Sequence, residues 1–93
     1  MEFINGVEQN KKNPDTFQIP SRAVKRSLRV RDLIKVGFIG EDVTERMWMI
    51  ITAINRAEKT ITGVLDNKPA YLQINLGDTF TVPFNSILSV WGK

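Results

Sequence analysis

The sequence predicts a mainly β (α+β) domain: a small SH3-like barrel, or a strongly bent antiparallel sheet, of five to six strands with one short N-terminal helix. Three observations carry this expectation. Five or six short runs of period-two or continuous apolar character are separated by tight-turn residues. Pro83-Phe84-Asn85 interrupts the pattern for one turn just before the last run. A single clear amphipathic helical period stands near the start, over residues 20–29. Barrel and bent sheet share most of their contacts, so periodicity leaves both open.

Ninety-three residues have room for one core, and 42% hydrophobic with 25% charged residues is the composition of a folded chain. Residues 5–15 are polar, turn-forming and without period, so 1–15 reads as a flexible lead-in and 16–93 as the single barrel-like domain. Phe17 and Ile19 anchor a short extended stretch before Pro20. Ser21 is the expected N-cap of a helix of about two turns, with Val24 and Leu28 on its core side. From Val30 the period changes to two, and Ile34, Val36 and Phe38 mark a strand. Gly40-Glu41-Asp42 turns the chain into a strand from Arg46 to Ile54. It is apolar on both faces, with Met47, Met49 and Ile51 against Trp48, Ile50 and Ile54, and is therefore expected to be central. Thr60–Leu65 is a further strand, closed by the turn residues Asp66-Asn67-Lys68-Pro69. A brief pairing over Tyr71–Ile74 is expected, then strands over Thr79–Val82 and Ile87–Trp91 flanking a 3₁₀ turn at Pro83.

The chain contains no cysteine and no histidine. That excludes disulfides, thiolate and imidazole metal sites, and Ser-His-Asp or Cys-His catalysis. No remaining side chain titrates near neutrality unless strongly perturbed. No catalytic residue, metal or cofactor is therefore expected. No uncharged run reaches the roughly 20 apolar residues of a membrane helix. The start lacks the basic and apolar regions of a signal peptide, so no membrane association and a cytoplasmic location are expected.

The net charge of +3 is unevenly placed: residues 1–31 hold seven bases and three acids, residues 32–93 six bases and seven acids. Within the helix, Arg22, Lys25, Arg26 and Arg29 follow i, i+3, i+4, i+7 with no acid among them. Such a face can meet phosphates. It can equally be a solvated face whose late arginines complement the helix dipole. A second candidate is Glu45-Arg46-Met47-Trp48. Faces alternate along a strand, so Arg46 or Trp48, with Ile50, is expected to face outward and to stack on a base or a peptide. The alternative is that Trp48 closes the barrel and Arg46 pairs with Asp32 or Asp66. A third candidate is Asp66-Asn67, at a strand end where loops bind ligands, or else simply an Asx turn. One carboxylate and one amide are too few for a calcium loop, and P-loop glycine spacing is missing. A carboxylate pair of Asp66 with Glu45 is not required by the spacing. Trp91 and Phe84, with Tyr71, either extend an aromatic surface or fill the core.

Phe17-Gln-Ile-Pro-Ser-Arg22, Leu28-Arg-Val-Arg-Asp-Leu-Ile-Lys35, Glu45-Arg-Met-Trp48, Gly63-Val-Leu-Asp-Asn67 with Pro69, Leu76-Gly-Asp78, Val82-Pro-Phe84 and Ile87 occur in an order that resembles the bacterial YegJ-like domain-of-unknown-function family, over about residues 14–90. Ala70 stands before Tyr71 where the pattern would have an aromatic. The resemblance singles out Ser21, Arg22, Glu45, Arg46, Trp48, Asp66 and Asn67 as motif positions and implies a small bacterial or phage protein in a defence or counter-defence setting. Residues and resemblance together lead to a non-enzymatic binding module for an anionic ligand, a nucleotide signal or nucleic acid. Its expected site is Ser21, Arg22, Lys25, Arg26, Arg29, Arg46, Trp48, Asp66 and Asn67. A protein-interaction module, such as an immunity or inhibitor protein blocking a partner protein, is the alternative, and a small hydrolase comes last. Enclosing a small ligand in so small a barrel favours a homo-oligomer.

Overall fold

A computed structural model describes all 93 residues. Six antiparallel strands form a nearly closed barrel of the SH3-like kind: β1 (Glu2–Phe3), β2 (Leu33–Ile39), β3 (Thr44–Asn55), β4 (Thr60–Leu65), β5 (Thr79–Pro83) and β6 (Ile87–Val90). The radius of gyration is 12.6 Å, close to the ~12 Å of a folded chain this long. The sheet runs β1-β2-β3-β4-β5. β3 covers one edge of β2, and the other edge is shared: β6 pairs along Ile34–Val36 and β1 along Phe38–Ile39.

Inward residues alternate as a half-buried sheet requires, and Ile34, Val36, Phe38, Met47, Met49, Ile51, Ile61, Leu65, Val82, Ile87 and Val90 meet in one core with Leu28. Two bulges adjust this alternation. On β3, Ile51 opposes Gly63 and Ala53 opposes Thr62, so Thr52 is an extra residue. The parity change returns Ile54 to the core side with Met47, Met49 and Ile51, not to the side of Trp48 as simple alternation predicts. On β6, Ile87 and Ser89 face Val36 and Lys35 with Leu88 between them. Leu88 is buried against Gly6 and Ile19, where a Cβ on Gly6 would lie 2.9 Å from Leu88 Cδ2.

Two short helices are present where the sequence predicts one. Helix α1 (Gly6–Lys12) lies in the stretch expected to be a flexible lead-in, and β1 precedes it. Asn5 caps α1 by accepting from Glu8 N at 3.1 Å, and Lys11 and Lys12 complement its C-terminal end. It has no apolar stripe; it docks by the close approach that Gly6 permits. Asn10 Nδ2 donates to the Phe17 carbonyl at 2.8 Å and ties the helix to the following extended segment.

Helix α2 (Arg22–Arg26) is capped as expected, with Ser21 Oγ accepting from Val24 N at 3.2 Å. It is shorter than its charge period suggests. Ser27 Oγ donates back to the Val24 carbonyl at 2.8 Å, and Arg29 N donates to Asp32 Oδ2 at 2.9 Å in a turn that starts the approach to β2. Arg29 therefore stands outside the helix, and the four-residue cationic face is reduced to Arg22, Lys25 and Arg26. Of these, Lys25 is only half-exposed.

The segment between β4 and β5 forms no strand, so the pairing expected over Tyr71–Ile74 is absent. A 3₁₀ turn over Phe84–Ser86 leads into β6 as predicted.

Candidate functional site

The outer face of β2, β3 and β6 collects the candidate chemistry. Arg46 and Trp48 are two residues apart on β3 and share this face with Ile50, so both point outward. Lys35 lies directly opposite Trp48 on β2, with its Nζ 5.1 Å from the Trp48 ring centroid. On the other side Lys35 is paired with Ser89 of β6. Trp48 meets Trp91 edge to face at 5.8 Å, and Trp91 is 69% exposed. Trp91 thus extends the Trp48 surface, whereas Phe84 packs on the core and Tyr71 is remote from the pair in sequence and exposed.

Gly37 opposes Arg46, and its missing side chain makes room for Ile4: a Cβ there would come within 2.8 Å of Ile4 Cγ1 as well as meeting its Cδ1. The guanidinium of Arg46 lies over the Phe17 ring, 5.2 Å from its centroid, and not on Asp32 or Asp66 as the ion-pair alternative requires. Asp32 is engaged by the Arg29 backbone N–H.

Between these groups is a cavity of about 130 Å³ lined by Thr16, Phe17, Gln18, Lys35, Arg46, Leu88 and Ser89. Its polar lining residues are two bases, two hydroxyl residues and one amide residue, with no acid among them. A shallower cleft of about 480 Å³ continues from it through the shared Phe17 and Arg46, with Ile4, Gln9 and Thr44 as its other walls. The largest cleft, about 730 Å³, lies elsewhere, between residues 40–43, residues 71–74 and Met1. It carries Glu41 and Asp42 and no base, and does not suit an anion.

Of the expected site residues, Arg46 and Trp48 stand on this face, and Asn67 touches it from behind. Trp48 N donates to Asn67 Oδ1, and Asp66 N donates to the Trp48 carbonyl at 2.9 Å. Asn67 therefore supplies a rung of the ladder beyond the end of β4, as an Asx residue would. The Asp66 side chain is exposed. Ser21 lines a separate cleft with Val24 of α2, which shares Gln18, Leu88 and Ser89 with the cationic cavity. Arg22, Lys25, Arg26 and Arg29 line neither cavity. Lys35, Phe17, Gln18, Thr16, Ser89 and Trp91 are the residues that sequence reasoning did not assign to the site.

Glu45 has a structural role instead. Its Oε1 accepts from Tyr71 N and from Leu72 N (3.2 Å), and its Oε2 accepts from Ala70 N at 3.2 Å. One carboxylate thus fixes the strandless segment after β4. Glu45→Ala is expected to cost about 2 kcal/mol in urea unfolding, the usual size for losing bonds to a charged group in a partly exposed setting. Amide exchange at residues 70–72 should accelerate while β2 and β3 keep their protection; unchanged exchange there would refute this assignment. Glu45→Gln, which keeps one acceptor oxygen, should lose less.

Partial burial lowers the Lys25 ammonium below the ordinary lysine value of 10.5. The folded state then binds fewer protons than the unfolded state over the pH window just beneath 10.5, so stability rises with pH through that window. Lys25→Met should remove this rise and stabilise the protein at neutral pH, within about 0.5 kcal/mol. Paired melts of both proteins at pH 7 and pH 10 check the sign.

No protein-family model, curated protein or solved structure matches the chain. No helix is long and apolar enough to cross a membrane.

Proposed function

We propose that this domain is a non-enzymatic binding module for anionic ligands of the nucleotide class, single-stranded nucleic acid above all, and that it binds them on the outer face of β2, β3 and β6. The observation that carries this is the pairing of Lys35 and Arg46 around one acid-free cavity beside the Trp48–Trp91 pair. Phosphates are met by the two cations and bases by the exposed indole of Trp91, the combination that single-strand binders use without sequence preference. The basic residues of α2 contribute a positive field that steers the ligand rather than direct contacts in the cavity. The same reading puts the protein in the cytoplasm; a bacterial or phage defence setting rests on the motif resemblance alone.

The chain's two tryptophans, Trp48 and Trp91, both belong to the proposed site, so intrinsic fluorescence reports on it directly. Oligothymidylate should quench this emission, and the affinity should fall steeply as salt is raised. Trp91→Ala, at an exposed position, should weaken binding of a labelled oligonucleotide about tenfold, the worth of one stacked base. Absence of quenching, or binding indifferent to salt, removes the proposal. The alternative of a protein-interaction module is supported by the acidic cleft, where Val43, Tyr71, Leu72 and Ile74 accompany Glu41 and Asp42 and would suit a basic, apolar peptide.

A further inference from the structure

We infer that the 130 Å³ cavity between Lys35 and Arg46 holds a terminal phosphate monoester, so that the ligand enters this site by a phosphorylated end; this rests on the nucleotide-class reading above. Three properties of the cavity point to it. At about 130 Å³ the cavity is much smaller than the adjoining cleft of about 480 Å³, a size that suits a single tetrahedral oxyanion better than a whole nucleoside. The polar residues that line it, Lys35, Arg46, Thr16, Ser89 and Gln18, all carry donors suited to phosphate oxygens. Its two formal positive charges match a monoester, which carries about −1.5 to −2 near neutrality, better than an internal diester with a single charge.

The surroundings place the rest of such a ligand. Buried Leu88 is among the lining residues, and Lys35 and Ser89 are paired neighbours on adjacent strands, so one wall of the cavity is the sheet itself. The 480 Å³ cleft, reached past Arg46 and Phe17, supplies one continuation of nucleoside size and offers the Phe17 ring to a base. Register fixes the two cations on neighbouring strands: Lys35 faces Trp48 and Arg46 faces Gly37, so they are diagonal neighbours.

The experiment is a fluorescence titration of the full chain with three oligothymidylates of equal length, carrying a 5′-phosphate, a 3′-phosphate, or hydroxyls at both ends. One phosphorylated probe should bind about tenfold or more tightly than the hydroxyl probe, and its identity tells which end is taken. In Lys35→Gln the phosphorylated and hydroxyl probes should bind alike, both more weakly than to the wild type, with an unchanged melting transition as the check on folding. Equal affinity of the wild-type protein for all three probes overturns the terminal-phosphate inference and leaves nucleic-acid binding standing. No binding of any probe overturns both.

Discussion

Phe38→Ala is expected to destabilise the protein by about 4 kcal/mol, within the range for deleting a fully buried phenylalanine. Phe38 is 0% exposed and is the hub of an aromatic triple, 5.4 Å from Phe3 and 5.2 Å from Phe80, with Phe3 and Phe80 6.4 Å apart and all three contacts edge to face. Its position magnifies the usual cavity cost. β1 pairs with β2 and β5 pairs with β4, yet β1 and β5 do not pair with each other. Across this seam the barrel is joined by ring contacts in place of a hydrogen-bonded ladder, and Phe38 supports both partners. Urea unfolding should therefore show a lowered midpoint, and amide exchange should rise first in β1 and β5 rather than between β3 and β4. A loss below about 1.5 kcal/mol would show that the seam is closed by something other than these rings.

The second large effect is expected at Gly63, in the middle of β4. A Cβ there would stand 2.8 Å from the Ile50 carbonyl oxygen and 2.9 Å from Met49 Cε. The methionine tip can move, because its unbranched chain has several rotors. The carbonyl cannot, because it belongs to the neighbouring strand. Gly63→Ala should cost about 3 kcal/mol as overpacking, and Met49→Ala in the same chain should fail to recover it. Recovery by Met49→Ala would mean that the side chain, not the strand approach, requires glycine. The tight approach lies beside the Thr52 bulge, where Gly63 faces Ile51, so the missing side chain and the extra residue occur at one place in the sheet.

Five of the six strands were legible in the sequence because each obeys a local rule, whereas β1 lies in the stretch read as a flexible lead-in. Alternation located β2, β4 and β5, turn residues separated them, and a proline ended β5 before the 3₁₀ turn. Of the two misread segments, the first carries a local cap, Asn5 accepting from Glu8 N, but nothing local shows what it docks against. Helix α1 is held by the contact of Gly6 with Leu88, which lies 82 positions away in the chain. The stretch around Tyr71 is shaped by the distant carboxylate of Glu45, so its own residues carry no sign of the outcome. For the site, Arg46 and Trp48 stood out by type, but Lys35 was one lysine in a strand. Counting outward from the Gly40–Val43 turn sets Ile39 against Thr44 and therefore Lys35 against Trp48, and this would have found it. Phe17 and Gln18 lie in an irregular segment and had no comparable signal. The cationic helix face was over-read because Ser27 and Asp32 compete for the backbone before Arg29 is reached.

The shared edge of β2 bears on how the molecule is made. β1 and β6 occupy successive parts of that edge, and they come from residues 2–3 and 87–90. During synthesis the ribosome delivers β2, β3 and β4 long before β6, so the nascent hairpins hold Ile34 and Val36 at an unpaired edge until residue 90 has emerged. Closure then joins segments far apart in sequence, the kind of contact that slows folding and leaves strands open to wrong partners in the interval.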